Sequence, residues 1–143
     1  MSDGWKRPES VLVVIGTRNG DVLLMERREP KGFWQSVTGS LELDETPAEA
    51  AARELREETG IEARPEDCHL SQRFPIVPPW KARYAPDVTY NLEHAFRLIL
   101  PEKLKVRLNP KEHLAALWLS RGEAIRRASS WSNSLAIEHC LPE

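Results

Sequence analysis

Two short runs of branched apolar residues open the chain, SVLVVIG at 10–16 and DVLLMER at 21–27. Both predict strands. Between them TRNG carries Asn19-Gly20, a pair suited to a tight hairpin turn. FWQSVTG at 33–39 predicts a third strand that ends on glycine, and DCHLSQRFPIV at 67–77 a weaker one. VTYNLEHAFRLIL at 88–100 alternates well enough for a long strand, whereas HLAALWLS at 113–120 fits a strand or a short helix. The proline-rich PPWKARYAP at 78–86 predicts a loop too long for a plain turn. Ser120 and Glu123 form a capping box ahead of EAIRRA, a helix, and SNSLAIEHCL at 132–141 predicts a last short helix. Strands at both ends around one long central helix give an α/β (α+β) class with a mixed sheet, in one domain spanning 1–143.

The central helix has the clearest limits. Thr46 is a good N-cap, Pro47 fits the first helical position and Glu49 completes a T-x-x-E capping box. AEAAARELREE is rich in helix formers, and Gly60 can take the left-handed conformation that closes the helix after Thr59. At about 100° per residue, Glu54 and Glu58 lie about 40° apart, with Glu57 about 60° to the other side of Glu54. The three carboxylates therefore share one face, while Ala50, Ala51 and Leu55 can pack inward. Like charges at this spacing repel. A divalent cation gives them a reason to gather, because Mg²⁺ takes carboxylate oxygens and leaves positions for water and phosphate. Arg53, four residues before Glu57, can pair with it. The helix alone leaves a second reading open, a solvated face laced with ion pairs.

Composition narrows the partners. Lys and Arg number 20 against 22 Asp and Glu, so no global field draws the chain to nucleic acid or membrane, and any polyanion must be held locally. Cys68 and Cys140 form no CxxC, which favours a reducing, cytoplasmic setting over a disulfide scaffold or zinc ribbon. No apolar run approaches the roughly 20 residues that span a bilayer, and MSDGWKRPES lacks the apolar stretch of a signal peptide. Five tryptophans read mostly as core or rim aromatics, with one free to stack on a flat ligand.

The residues flanking the helix decide between its two readings. Gly39, five residues, Glu45, seven residues, then Arg53-Glu54-Leu55, one residue, Glu57-Glu58, one residue and Gly60-Ile61 resemble the Nudix box, G-x5-E-x7-R-E-U-x-E-E-x-G-U, at every fixed position. The resemblance implies a Nudix-type α/β/α sandwich and hydrolysis of a diphosphate linked to another moiety, with Mg²⁺, or Mn²⁺ in its place. It implies Glu54 and Glu58 as metal ligands, Glu57 as a ligand or outer partner, Gly39 as the close approach at the start of the loop, and Glu45 as its brace. Arg53 and Glu57 join the catalytic set. Phosphoryl transfer asks mainly for such positioning and charge stabilisation.

KRPESVLVVI, FWQSVTGS, RYAP, EHLA, WL and SWSN, spread from Lys6 to Asn133, further resemble the bacterial dihydroneopterin triphosphate pyrophosphohydrolases, a folate-pathway branch that releases pyrophosphate to leave the monophosphate. That likeness implies Lys6, Arg27, Thr38 and Ser130 as substrate contacts, and Phe74, Pro75, Ile76 and Val77 as a wall of the pterin pocket. It also implies Glu112 as a third metal ligand or the general base. Four of them have a plainer alternative: Lys6 in a solvated tail, Arg27 at a strand end, Ser130 as a helix cap, Glu112 in a solvated Asn-Pro turn. Pro78, Pro79 and Trp80 depart from the branch and leave the shape of that wall, and base selectivity, open. Trp80 reads as a loop anchor that could also stack on a ring. His94 and His113, on strands, read as satisfied structural residues.

Three functions compete: a metal-dependent hydrolase of dihydroneopterin triphosphate, a housecleaning (d)NTP pyrophosphohydrolase of other base preference, and a non-catalytic Nudix-like sensor. Retention of every box glutamate weighs against the sensor, and the absence of a basic stripe weighs against a nucleic-acid module.

Overall fold

The computed structural model describes residues 4–142, apart from the Pro79 side chain; residues 1–3, the start of the stretch read as lacking a signal peptide, and residue 143 lie outside. Strand β1 (Glu9–Thr17) organises the rest. It runs parallel to β6 (Tyr90–Leu100) along its whole length and antiparallel to β4 (Val37–Ser40) along its first half, and meets β2 (Asp21–Arg27) at its end. Strand β2 pairs in turn with β3 (Trp34–Gln35) and β7 (His113–Ser120), and β6 with β5 (Glu66–Pro75). The result is one mixed seven-stranded sheet.

Because a helical layer covers each face of the sheet, the apolar run of β1 has no solvent face, and alternate residues enter different cores. Val11, Val13 and Ile15 pack with Ala50, Ala51 and Leu55 of α1 (Pro47–Thr59). Leu12 and Val14 pack with Ala124 of α3 (Arg121–Arg127) and Ala136 and Ile137 of α4 (Trp131–Cys140). All are at 2% exposure or less, and each valine, leucine and isoleucine among them contributes about 1.5–3 kcal/mol by leaving water. Helices thus cover both faces, the layering of the expected sandwich.

Helix α1 has the expected limits. Thr46 Oγ1 accepts from Glu49 N–H, Glu49 Oε1 accepts from Thr46 N–H, and Gly60 closes the helix at φ 80°. The hairpin turn also forms, with Gly20 N–H donating to the Thr17 carbonyl at φ 90°. The 113–120 segment is a strand, held by β2.

Three expectations are corrected. The strand foreseen over 33–39 is two strands, because Ser36 turns away to Asn133: its N–H donates to Asn133 Oδ1 (2.8 Å) and its hydroxyl accepts from Asn133 Nδ2 (2.9 Å). The chain thereby passes from the β2 edge to the β1 edge. The 78–86 loop contains a helical turn, α2 (Pro78–Lys81), followed by further turns at Arg83, Tyr84 and Val88. The Ser120 box is half formed: the hydroxyl accepts from Glu123 N–H and itself donates to the Glu123 carboxylate, with Ser120 still in register with Asp21 in the sheet.

Candidate active site

The box carboxylates share a face of α1 but not an environment. Glu58 is 2% exposed, the Glu54 side chain 13% and that of Glu57 49%. Arg53 ties the face to the preceding loop. Its guanidinium holds Glu45 in a two-point pair (2.7 and 2.8 Å), donates to the Ser40 carbonyl, and reaches Glu54 and Glu57 at 3.2 and 3.3 Å. The expected Arg53–Glu57 pair exists, yet Glu45 is the closer, two-point partner. That hydrogen bonding holds the Glu45 carboxyl below its ordinary range.

Burial pushes Glu54 up to about 8, helped by its hydrogen bond to Glu57, while Arg53 opposes the shift. Burial also pushes Glu58 well above the ordinary value, and the charges of Glu54 and Glu112 add to it. The Thr38 backbone donates to Glu58, but Glu58 Oε1 is buried with no hydrogen-bond partner among the described residues. A buried, unpartnered carboxylate oxygen is expensive. Glu112, exposed on the turn before β7, and His113 complete the cluster: one donor atom from each of Glu58, Glu112 and His113 lies within 4.8 Å of the others. Glycine at position 39 is required because a Cβ there would fall on the Glu54 carboxylate. The donors are mostly hard oxygens, one buried without a partner, and they suit a divalent cation.

On the α4 side of the sheet lies a cavity of about 460 Å³. Lys6, Arg27, Thr38 and Ser130 line it, and so does the wall Phe74, Pro75, Ile76 and Val77. Glu54, Glu57, Glu58 and Glu112 do not. Strand β4 joins the two regions: Thr38, in register with Leu12, lines the cavity, and Gly39, in register with Val11, faces Glu54. Lys6, Arg27 and Arg83 gather at this junction. Burial, then the charge of Arg83, lower the Lys6 and Arg27 pKa values; Glu54 opposes the shift of Lys6, and Glu58 and Glu112 that of Arg27. No salt bridge involves these three among the described residues, so they are available to an anion. Ser130 also caps α4 by accepting from Asn133 N–H. Trp80 both anchors its loop and lines the cavity, edge-on to Phe33 (5.8 Å between centroids), with the Arg27 guanidinium 5.9 Å from its ring.

Several residues escaped the sequence reading. His94 is satisfied, by Glu9 at 2.6 Å and Ser71 at 3.0 Å. His113 is not: its Nδ1 is buried without a partner, its Nε2 is 3.6 Å from Glu58, and burial lowers its pKa to about 4. Its position directly after Glu112 was the available signal. Asn91 and Glu93, buried in the cavity, were visible as polar residues two apart on a strand. Arg83 opens the RYAP segment that carries part of the resemblance, but was assigned no role there.

The NUDIX domain family matches residues 6–138. The chain belongs to that family. This Nudix chain is 44% identical to the dihydroneopterin triphosphate diphosphatase of Escherichia coli over 140 residues, covering 94% of this chain and 92% of the relative. It is 38% identical to the Haemophilus influenzae protein of the same name, covering 96% and 89%. The solved structure of the E. coli dihydroneopterin triphosphate pyrophosphohydrolase superimposes with a TM-score of 0.88 at 43% identity, covering 94% of each chain. The chain is an enzyme of the Nudix hydrolase kind, a family that needs a divalent metal.

Proposed function

We propose that this Nudix enzyme hydrolyses dihydroneopterin triphosphate to dihydroneopterin monophosphate and pyrophosphate, with Mg²⁺ as its metal and Mn²⁺ as a substitute, in the cytoplasm. One observation carries the reading: the cavity lined by all eight expected substrate residues has a cationic junction, at Gly39, with the box carboxylates. A polyphosphate extending from that cavity toward α1 meets Lys6, Arg27 and Arg83 first and then the carboxylate cluster.

Glu54, Glu58 and Glu112 would hold the cation, with His113 against Glu58. When bound, the ion supplies charge neutralisation to phosphate oxygens and acidifies water. The chain's own residues do the rest. Arg53 fixes Glu45, Glu54 and Glu57 relative to one another. Glu57, the most exposed of the three helix carboxylates, is open to water and placed to accept a proton from it. Lys6 and Arg27 neutralise the phosphates, and Thr38 offers a hydroxyl at the junction. Phe74–Val77 and Trp80 supply apolar cover that excludes water from the ring.

A panel of pterin and nucleoside triphosphates assayed with Mg²⁺, scored for pyrophosphate against orthophosphate, tests the reading. The pterin triphosphate is expected to give the highest kcat/KM, with pyrophosphate released. A wide margin in favour of a nucleotide would instead support the housecleaning reading.

A further inference from the structure

Polar groups in the cavity differ in how far the protein itself satisfies them. Asn133 exchanges two hydrogen bonds with Ser36. Two neighbours on β6 are not so engaged. Asn91 donates through Nδ2 to Ser10 (2.8 Å), but its Oδ1 is buried without a partner. Glu93, 6% exposed, has the Ser132 hydroxyl as a hydrogen-bond donor. No salt bridge involves it among the described residues. Two residues apart on one strand, the side chains point to the same face, and both line the cavity.

We propose that Glu93, with Asn91 beside it, selects the heterocycle, accepting the adjacent N–H groups of a 2-amino-4-oxo ring edge. The inference rests on the function proposed above and assigns its ring-recognition residues. A carboxylate presents two parallel acceptors, the geometry that a lactam N–H and a neighbouring exocyclic amine complement. Edges that turn a lone pair toward the same place, such as adenine N1 or a 2-oxo group, are rejected because acceptor faces acceptor. Burial pushes the Glu93 carboxyl up to about 7, opposed by the Ser132 hydrogen bond. A structural carboxylate in such a place would be expected to have a cationic partner. Phe74, edge-on to Trp131 at 6.5 Å between centroids, gives the ring apolar contact nearby.

Glu93→Gln, confirmed folded by circular dichroism, should lower the ratio of kcat/KM for dihydroneopterin triphosphate to that for ATP by about 10²-fold or more, chiefly through KM, since a hydrogen-bonding site left mismatched discriminates by such factors. The GTP to ATP ratio should fall in parallel, because guanine carries the same edge. Equal losses on all three substrates, or no loss, would overturn the proposal. Wild-type protein provides a check independent of folding: competition by neopterin should exceed that by its 2-deamino-2-oxo analogue by about 10²-fold, and equal competition would also overturn it. If wild type prefers GTP to the pterin triphosphate, the proposed substrate fails while the GTP to ATP ratio still decides the role of Glu93.

Discussion

Gly39 and Glu54 stand so close across the β4–α1 junction that a Cβ on the first would occupy the carboxylate of the second. The conflict is with a functional group rather than with packing, so Gly39→Ala should move Glu54 and spare the fold. The expected outcome is a loss of about 10²-fold in turnover and weakened Mg²⁺ binding by calorimetry, with a melting temperature close to wild type. A large drop in melting temperature would show that the glycine serves stability instead.

Glu112 is exposed, and its backbone, not its side chain, organises the turn: its N–H donates to the Asn109 carbonyl and its own carbonyl accepts from Arg28 N–H. Glu112→Gln should therefore keep the fold while lowering kcat by about 10²-fold or more. Full activity would remove Glu112 from the mechanism.

These two sites differ in how readily they could be read from sequence. Helix α1 was legible to the residue because its signals are local: a capping box, a proline at the first position, a glycine that closes. The Gly39 to Ile61 spacing was legible for the same reason. The break at Ser36 was not, since it is imposed by Asn133, 97 positions later. His113 reads as an ordinary strand histidine until the fold brings Glu58 within 3.6 Å. Glu93 had a local signal, polarity at an inward position of β6, but its meaning depends on which cations fail to reach it.

The Arg53–Glu45 pair is two-pointed and mostly shielded, with side chains 18% and 12% exposed. Glu45→Gln keeps the shape but replaces one acceptor oxygen with an NH₂ donor, leaving Arg53 one neutral acceptor and one facing donor. Urea melts of the metal-free protein should show a loss of about 1–3 kcal/mol. Arg53→Lys, which cannot reproduce the fork, should lose a similar amount and lower kcat as well. A neutral effect of both would make the pair incidental.

Protons and the cation compete for the same carboxylates, which fixes the sign of a pH effect. Burial raises Glu54 to about 8 and Glu93 to about 7, so the folded chain binds these protons more tightly than the unfolded chain does. Stability from this source is full below the ordinary carboxylate range and is lost as pH climbs to about 8. Glu9 and Glu45, shifted the other way, have finished titrating by pH 6; His113, lowered to about 4, favours the folded chain as pH rises past 6, but it is one group against the raised carboxyls Glu54, Glu58 and Glu93. The metal-free protein should therefore melt at a lower temperature at pH 8.5 than at pH 6. Added Mg²⁺ displaces the Glu54 proton, so its stabilising shift should be larger at pH 8.5, by several degrees at saturating metal. Thermal melts at both pH values, with and without Mg²⁺, check this. A Mg²⁺ shift of the same size at pH 6 and 8.5 would mean that the cation does not bind through the buried carboxylates of α1.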